Sequence, residues 1–220
     1  MTTKMNFVDF LPDLKTLFIS VLPSVTYFVG LQVYKKFHTP LKDNKKDDIF
    51  KSHKNIITSG LANVCIIHPL YSVTGFDIDS VTITHVIWGI LVIDTVEYIY
   101  HYFYHRVPFL FKHVHSVHHS VKIEPGVSFR NSDIEPFLTA PGVFLSLFFT
   151  NVSYYEYLII ISLSFLATIA DHTNTHTRKF HYIHHHVNKQ YNFQQPFFTF
   201  WDHIFGTYYK DTALKLPFIP

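Results

Sequence analysis

Long apolar runs alternate with short polar segments along this chain. Residues 14 to 34, 56 to 71 and 81 to 100 are dominated by apolar side chains. An α-helix rises about 1.5 Å per residue, so a run of about 20 apolar residues crosses the hydrocarbon core of a bilayer. The first and third runs predict membrane-spanning helices. The second also predicts a span, although it lies near the lower length limit and contains His68 followed by Pro69.

Two further apolar runs, residues 137 to 150 and 154 to 170, predict a helical hairpin. Only Asn151, Val152 and Ser153 separate the two runs. Short connections join elements that are neighbours in space, so we expect these helices to enter the membrane and return.

Lysines between the first two runs indicate the orientation of the chain. Residues 35 to 54 hold seven lysines without apolar periodicity, which predicts a loop, and the positive-inside rule places that loop in the cytosol. If every run crosses, the polar stretches 101 to 119 and 171 to 186 both emerge on the cytosolic side. The predicted fold class is an all-α integral membrane protein with about four transmembrane helices and a cytosolic, histidine-rich helical cap. Residues 1–80 would form the N-terminal spans and basic loop, and residues 81–220 a second domain.

The composition agrees with a membrane protein and excludes some other classes. Hydrophobic residues make up 48% of the 220 residues and charged residues only 15%. The net charge of +2 and the scattered lysines argue against a nucleic-acid surface. Cys65 is the single cysteine, so the chain forms no internal disulfide and no cysteine-based zinc site. Any metal must be held by histidines and carboxylates.

Histidine is concentrated in the two polar stretches. Each stretch has a pair spaced i, i+4 followed by an HxxHH triplet, and on a helix such spacings direct several imidazoles to one place. One zinc or iron ion rarely takes more than about six ligands, so ten histidines predict two metal ions, each held by about five. The candidate ligands of this dinuclear metal centre are His101, His105, His115, His118, His119, His172, His176, His181, His184 and His185.

The ligand type bears on which metal is bound. A nitrogen-rich dinuclear site suits iron and O₂ chemistry because iron changes its oxidation state, whereas zinc would indicate hydrolysis or a structural role. Two divalent ions with neutral ligands leave positive charge, which nearby carboxylates can offset. The candidates for that second shell of residues are Asp94, Glu97, Asp171 and Asp202.

Three short motifs give a resemblance to a known family. HYFYH at 101–105, HSVHH at 115–119 and HYIHH at 181–185 resemble the fatty acid hydroxylase and sterol desaturase superfamily. The tail YNFQQPFFTFWDHIFGTYY, residues 191–209, is similar to the closing motif of that superfamily, in which an Asn precedes an aromatic residue. The resemblance covers about residues 81–210, and within the superfamily it favours the sphingoid-base C4-hydroxylase branch.

The resemblance implies a function. It implies an endoplasmic-reticulum enzyme with two iron ions that uses O₂ and electrons from a separate cytochrome b5-type protein, with residues 81–220 as its catalytic domain. The substrate would be a membrane lipid, hydroxylated at C4 if it is sphinganine or dihydroceramide. The resemblance also implies that the ten histidines named above are the metal ligands, with His172 and His176 as the additional pair. It adds Asn192 to the second shell.

Some positions depart from the family pattern, and other functions stay open. Tyr102 stands where relatives usually have Arg, and NSDIE at 131–135 stands where a His-Pro segment is common, so we expect substrate positioning to differ. A sterol or fatty-acyl desaturase or hydroxylase of the same superfamily is one alternative, because desaturation and hydroxylation share the first hydrogen abstraction. A non-catalytic membrane protein with structural zinc is another, because structural metal binding needs only the ligands.

Overall fold

Helices form all of the regular structure in the residues that the computed structural model describes, which are 13–37, 45–172, 179–193 and 197–209. The predicted all-α class is confirmed for this part of the chain. In chain order the α-helices are α1 (Leu14–Ser20), α2 (Leu22–Phe37), α3 (Lys46–Ala62), α4 (His68–Thr74), α5 (Ile83–Arg106), α6 (Pro108–Leu110), α7 (Glu135–Thr150), α8 (Tyr154–Asp171), α9 (Lys179–His186) and α10 (Phe200–Ile204). Wider π-turns occupy Asn63–Ile67 and Phe111–His115, and tighter 3₁₀ turns occupy His118–Ser120 and Pro125–Val127.

Three helical segments in the described residues are long and apolar enough to cross a membrane. They are Lys46–Thr74, Ile83–Arg106 and Tyr154–Asp171. Leu14–Ser20 and Leu22–Lys36 meet at 43° and make a fourth segment if the bent pair is one span. These numbers agree with the prediction of about four spans. The side of the membrane that the histidines face, and the domain boundary at residue 80, stay predictions.

The start of the second span differs from the prediction. α3 begins at Lys46 and runs through the turn Asn63–Ile67 into α4. The loop predicted for residues 35 to 54 is therefore wrong for residues 46 to 54, and also for residues 35 to 37, which end α2. Acidic side chains occupy the first turn of α3, where they complement the helix dipole. One of them, Asp47, also lies 2.7 Å from Lys51 Nζ one turn later. Local charge therefore favours a helix where apolar periodicity is missing.

A wide turn allows the second span to continue past a proline. Pro69 has no amide hydrogen, and its ring would clash with the carbonyl four residues before it in a regular helix. The π-turn Asn63–Ile67 lies directly before this position and changes the hydrogen-bond register there. The span then ends at Gly75, which has a left-handed φ of 73°.

α8 lies at the centre of the bundle and packs against α2 and α5. Its side chains Tyr154, Leu158 and Ile160 are almost completely buried. Small residues allow the neighbouring backbones to come close. A Cβ atom at Gly30 of α2 would lie 2.5 Å from Leu166 Cδ2, and one at Gly89 of α5 would overlap the side chain of Ile160.

The hairpin prediction is correct for the helices and their connection. α7 and α8 are joined by three residues, of which Asn151 has a left-handed φ of 51°. Ser153 and Glu156 form a reciprocal capping box at the start of α8. However, α7 packs mainly against α5, whereas α8 packs mainly against α2. The hairpin is therefore held together through α5.

We predict that Gly89→Val lowers the thermal stability of the protein in detergent. Overpacking of this kind typically costs about 1–3 kcal/mol, because the new side chain must displace Ile160. The measurement is the midpoint of thermal unfolding, with Ile87→Val at an exposed position of the same helix as the control. Ile160→Ala combined with Gly89→Val should recover part of the loss. A Gly89→Val protein as stable as the wild type would contradict the close approach of α5 and α8.

Candidate metal centre

Five histidine side chains converge beside the end of α5, and we call them the five-histidine group. One ring nitrogen of each lies within 4.8 Å of the corresponding nitrogens of the others. The Nε2 atoms of His105, His119 and His184 are 3.0, 3.1 and 3.2 Å from one another. Three nitrogens that all face each other cannot satisfy one another by hydrogen bonds alone. The members of the group are His101, His105, His115, His119 and His184.

Four more histidines form a second, adjacent group, which we call the four-histidine group. All four side chains are buried, and His118 Nε2 lies 3.1 Å from His185 Nε2. The rings of His119 and His185, one from each group, stack with centroids 4.3 Å apart. The two groups are thus side by side, as a dinuclear centre requires. The members of this group are His118, His172, His181 and His185.

The two groups contain nine of the ten histidines predicted as ligands, and His176 lies outside the described residues. Each group takes members from both polar stretches. The second HxxHH triplet lies on α9 as predicted, but the first does not lie on an α-helix. His115 ends a π-turn and His118 begins a 3₁₀ turn, so the expectation of one helical face is wrong there. In both triplets, the last two histidines enter different groups.

Hydrogen bonds to backbone carbonyls orient three of the rings. Nδ1 lies 2.7 Å from the carbonyl of Phe193 in His101, 2.6 Å from that of Tyr191 in His184, and 2.8 Å from that of Thr168 in His172. A carbonyl oxygen only accepts, so Nδ1 donates its hydrogen and the lone pair is on Nε2. This is the arrangement usual for a metal-bound histidine.

Several other ring nitrogens of the two groups have no hydrogen-bond partner in the described part of the chain. They include Nε2 of His101, His115 and His172, and both ring nitrogens of His181, all buried. An unpaired buried polar atom destabilises a protein by about 1–3 kcal/mol unless another group satisfies it. Convergent imidazole lone pairs of this kind fit transition-metal ions. The donor set therefore fits the predicted pair of metals.

Burial keeps these imidazoles in the form that binds metals. Removal from water lowers the pKa of His115 to about 3 and that of His172 to about 4. Burial, with the repulsion of neighbouring imidazoles as a smaller cause, also lowers the pKa of His181 and His185. The rings are therefore neutral near pH 7, and a metal ion need not displace protons from them.

The predicted second-shell side chains Asp94, Asp202 and Asn192 hold the backbone near the histidines. Asp94 Oδ1 accepts from the amide of Phe197 at 2.8 Å, and Asp202 Oδ1 accepts from that of Phe193 at 2.9 Å. The side chain of Asn192 bonds both backbone groups of residue 209, at 2.8 and 3.0 Å. These contacts fix the segment whose carbonyls orient His101 and His184.

The other two predicted carboxylates occupy different environments. Asp171 is completely buried at the end of α8, directly before His172. Glu97 lies on α5 one turn before His101 and is hydrogen bonded to Tyr100. A second-shell role for both residues stays a prediction.

One further carboxylate at the site was not singled out from the sequence. Glu135 Oε1 lies 2.6 Å from His115 Nδ1, and both side chains are buried. The sequence places Glu135 at the end of a polar segment, 20 residues after His115. A helical-spacing argument reaches only about one turn, so it did not connect the two residues. The carbonyls of Tyr191 and Phe193 were missed because backbone groups leave no sequence signal of their own.

The sequence that builds this site matches a known protein family. A model of the fatty acid hydroxylase family matches residues 86–207, which is more than half of the chain and includes all nine histidines of the two groups. The chain therefore belongs to the fatty acid hydroxylase family. No solved structure is significantly similar to it.

Several curated proteins are similar to this chain. Sphinganine C4-monooxygenase 2 of Arabidopsis thaliana is 29% identical over 79% of this chain and 77% of its own length. Sphinganine C4-monooxygenase 1 of the same plant is 26% identical over 86% of each chain. Sphingolipid C4-hydroxylase SUR2 of Saccharomyces cerevisiae is 32% identical over 56% of this chain and 39% of its own length. These names agree with the branch to which the motifs pointed.

We predict that His184→Ala and His118→Ala each lower the metal content from two ions per chain to about one. His184→Ala removes a nitrogen from the five-histidine group, and His118→Ala removes one from the four-histidine group. The measurement is metal content per chain in purified protein, with circular dichroism to verify the fold. His186→Ala is the matched control, since His186 adjoins His185 on α9 but is exposed and outside both groups. Two retained metals in both test variants would argue against these residues as ligands.

Proposed function

We propose that this protein is a membrane-bound, O₂-dependent hydroxylase of a long-chain lipid and that it hydroxylates C4 of sphinganine or dihydroceramide. The observation that carries the proposal is the pair of adjoining histidine groups at the ends of apolar helices. The relatives named for sphinganine C4 oxidation support the choice of substrate.

In this proposal the nine histidines of the two groups, together with His176, hold two iron ions. The bound iron would supply the oxidation of an unactivated C–H bond, for which protein side chains are not suited. Hydroxylation places one oxygen atom of O₂ in the C–H bond and reduces the other to water, which consumes two electrons and two protons. We propose a cytochrome b5-type protein as the electron donor, and an endoplasmic-reticulum membrane with the histidines facing the cytosol.

The protein itself binds and orients the substrate. The apolar helices keep the alkyl chain of the lipid in the bilayer, while the polar head group lies near the histidine end of the bundle. The C–H bond that reacts is the one held within roughly 3–3.5 Å of the oxidant, so the position of the head group sets which carbon is hydroxylated. Tyr102, one of the departures from the family pattern, lies on α5 next to His101. Its ring packs against Phe193 with centroids 5.4 Å apart.

Expression of the chain in cells without their own C4-hydroxylase is the direct test. We expect 4-hydroxylated long-chain bases to return. His119→Ala should abolish them, because His119 belongs to the five-histidine group and its ring stacks on His185 of the four-histidine group. The measurement is mass spectrometry of long-chain bases, with exposed His186→Ala as the control.

Other lipid profiles would point to other functions. A new double bond, a hydroxylated fatty acyl chain or an altered sterol would reject C4 hydroxylation and favour another activity of the family. An unchanged profile from folded, metal-loaded protein with cytochrome b5 present would reject the enzyme and favour structural metal binding.

A further inference from the structure

Glu135 is the first residue of α7, and its side chain is buried against the five-histidine group. Oε1 lies 2.6 Å from Nδ1 of His115, while Nε2 of that ring is buried inside the group without a partner in the described residues. The carboxylate and the convergent nitrogens therefore lie on opposite sides of one imidazole. A contact with this geometry sets both the tautomer and the angle of the ring.

The surrounding chain fixes the position of Glu135. Its amide donates to Ser132 Oγ at 3.2 Å, which begins α7 at this point. The residues just before are attached to α3, because Asn55 Nδ2 donates to the carbonyl of Phe129 at 2.9 Å and Arg130 Nε lies 3.0 Å from Asp48 Oδ1. α3 lies outside residues 86–207, the part matched by the family model. An N-terminal membrane helix thus supports a contact inside the histidine centre.

The chain position adds a second reason to single out this residue. Glu135 ends the NSDIE segment, one of the places where this sequence departs from the family pattern. That segment was expected to alter substrate positioning. In the structure, its last residue instead contacts a histidine of the five-histidine group.

We propose that Glu135 is a positioning residue for the metal ion of the five-histidine group. Its Oε1 atom accepts the hydrogen of His115 Nδ1 and thereby holds the Nε2 lone pair toward the other four imidazoles. Glu135 does not touch the metal or the substrate in this role. This inference rests on the metal centre of the proposed function. It adds a residue that positions a ligand, and it makes the centre depend on α3; the spacing of the histidines predicts neither.

Metal binding by purified full-length variants tests the proposal. Glu135→Met keeps the length of the side chain but removes the strong acceptor, so we expect about a 10–100-fold loss of affinity for one of two metal ions. Glu135→Gln keeps an oxygen that can accept from Nδ1, so we expect both ions to be retained. The readouts are titration of metal-free protein with cobalt(II), followed by its absorption spectrum, and iron content per chain.

Two comparisons separate the positioning role from a general structural one. Asp133→Asn changes an exposed carboxylate of the same segment, whose side chain is 94% exposed, and should leave both affinities unchanged. In a His115→Ala background, Glu135→Met should have no further effect on metal affinity, because Glu135 acts only through that ring. An equal additional loss in that background would overturn the proposal.

The remaining outcomes distinguish a failure of the role proposed for Glu135 from a failure of the proposed function. If Glu135→Met binds both ions as tightly as the wild type, the role of Glu135 is wrong while the metal centre stands. If Glu135→Gln loses metal as completely as Glu135→Met, hydrogen-bond acceptance is not the property that matters, and the proposal fails. If the folded wild-type protein binds neither cobalt nor iron, the proposed function itself fails.

Discussion

Buried imidazole nitrogens impose the strongest constraint on this structure. Several of them have no partner within the described chain, and each would destabilise the fold by about 1–3 kcal/mol if nothing else satisfied it. The free energy of unfolding of a domain is only about 5–15 kcal/mol, so the sum of these penalties is comparable with the stability of the whole domain. Metal ions that accept the lone pairs would remove the penalty. Folding of the histidine end of the bundle and metal binding are therefore expected to be coupled.

The hydrogen bonds on the outer side of the rings explain why residues 191–209, the aromatic-rich tail, fold as they do. Carbonyls of Tyr191 and Phe193 orient His184 and His101, so their backbone must be held in place. Asp202 and Asn192 bind the backbone of the same segment directly. Asn192 also adopts a left-handed φ of 59°, which Asn tolerates better than most residues. Residues 191–209 thus hold the rings of His101 and His184 in place.

The other end of α8 is held by a different kind of contact. Tyr154 donates to Ser20 Oγ at 2.8 Å and to the carbonyl of Asn63 at 3.1 Å, and Tyr157 donates to Asn63 Oδ1 at 3.0 Å. Such hydrogen bonds are directional and lie in apolar surroundings, so they fix the register of α1 and the π-turn against α8. Close helix packing and this polar cluster together place the histidine-bearing ends of α5 and α8 side by side.

Elements that have local causes could be predicted from the amino-acid sequence. Apolar length predicted the spans, and the doubled pair-and-triplet pattern predicted nine histidines that converge in the described structure, because both signals depend on residues close together in the chain. The loop expected at 35 to 54 was wrong over residues 46 to 54, where charge pairing and contacts with a distant segment favour a helix. The helical face expected for His115 and His118 failed because the chain changes to π and 3₁₀ turns there.

The distribution of the histidines between the two groups depends on how distant parts of the chain pack together. His118 and His119 are neighbours in the chain but enter different groups, as do His184 and His185. Adjacent side chains in each triplet point in different directions. Because the two triplets face each other, each group combines residues from both polar stretches. The contact between Glu135 and His115 likewise depends on the docking of a segment against α3. Spacing along a chain specifies which side chains share a local face, whereas the partner of that face depends on how distant helices pack.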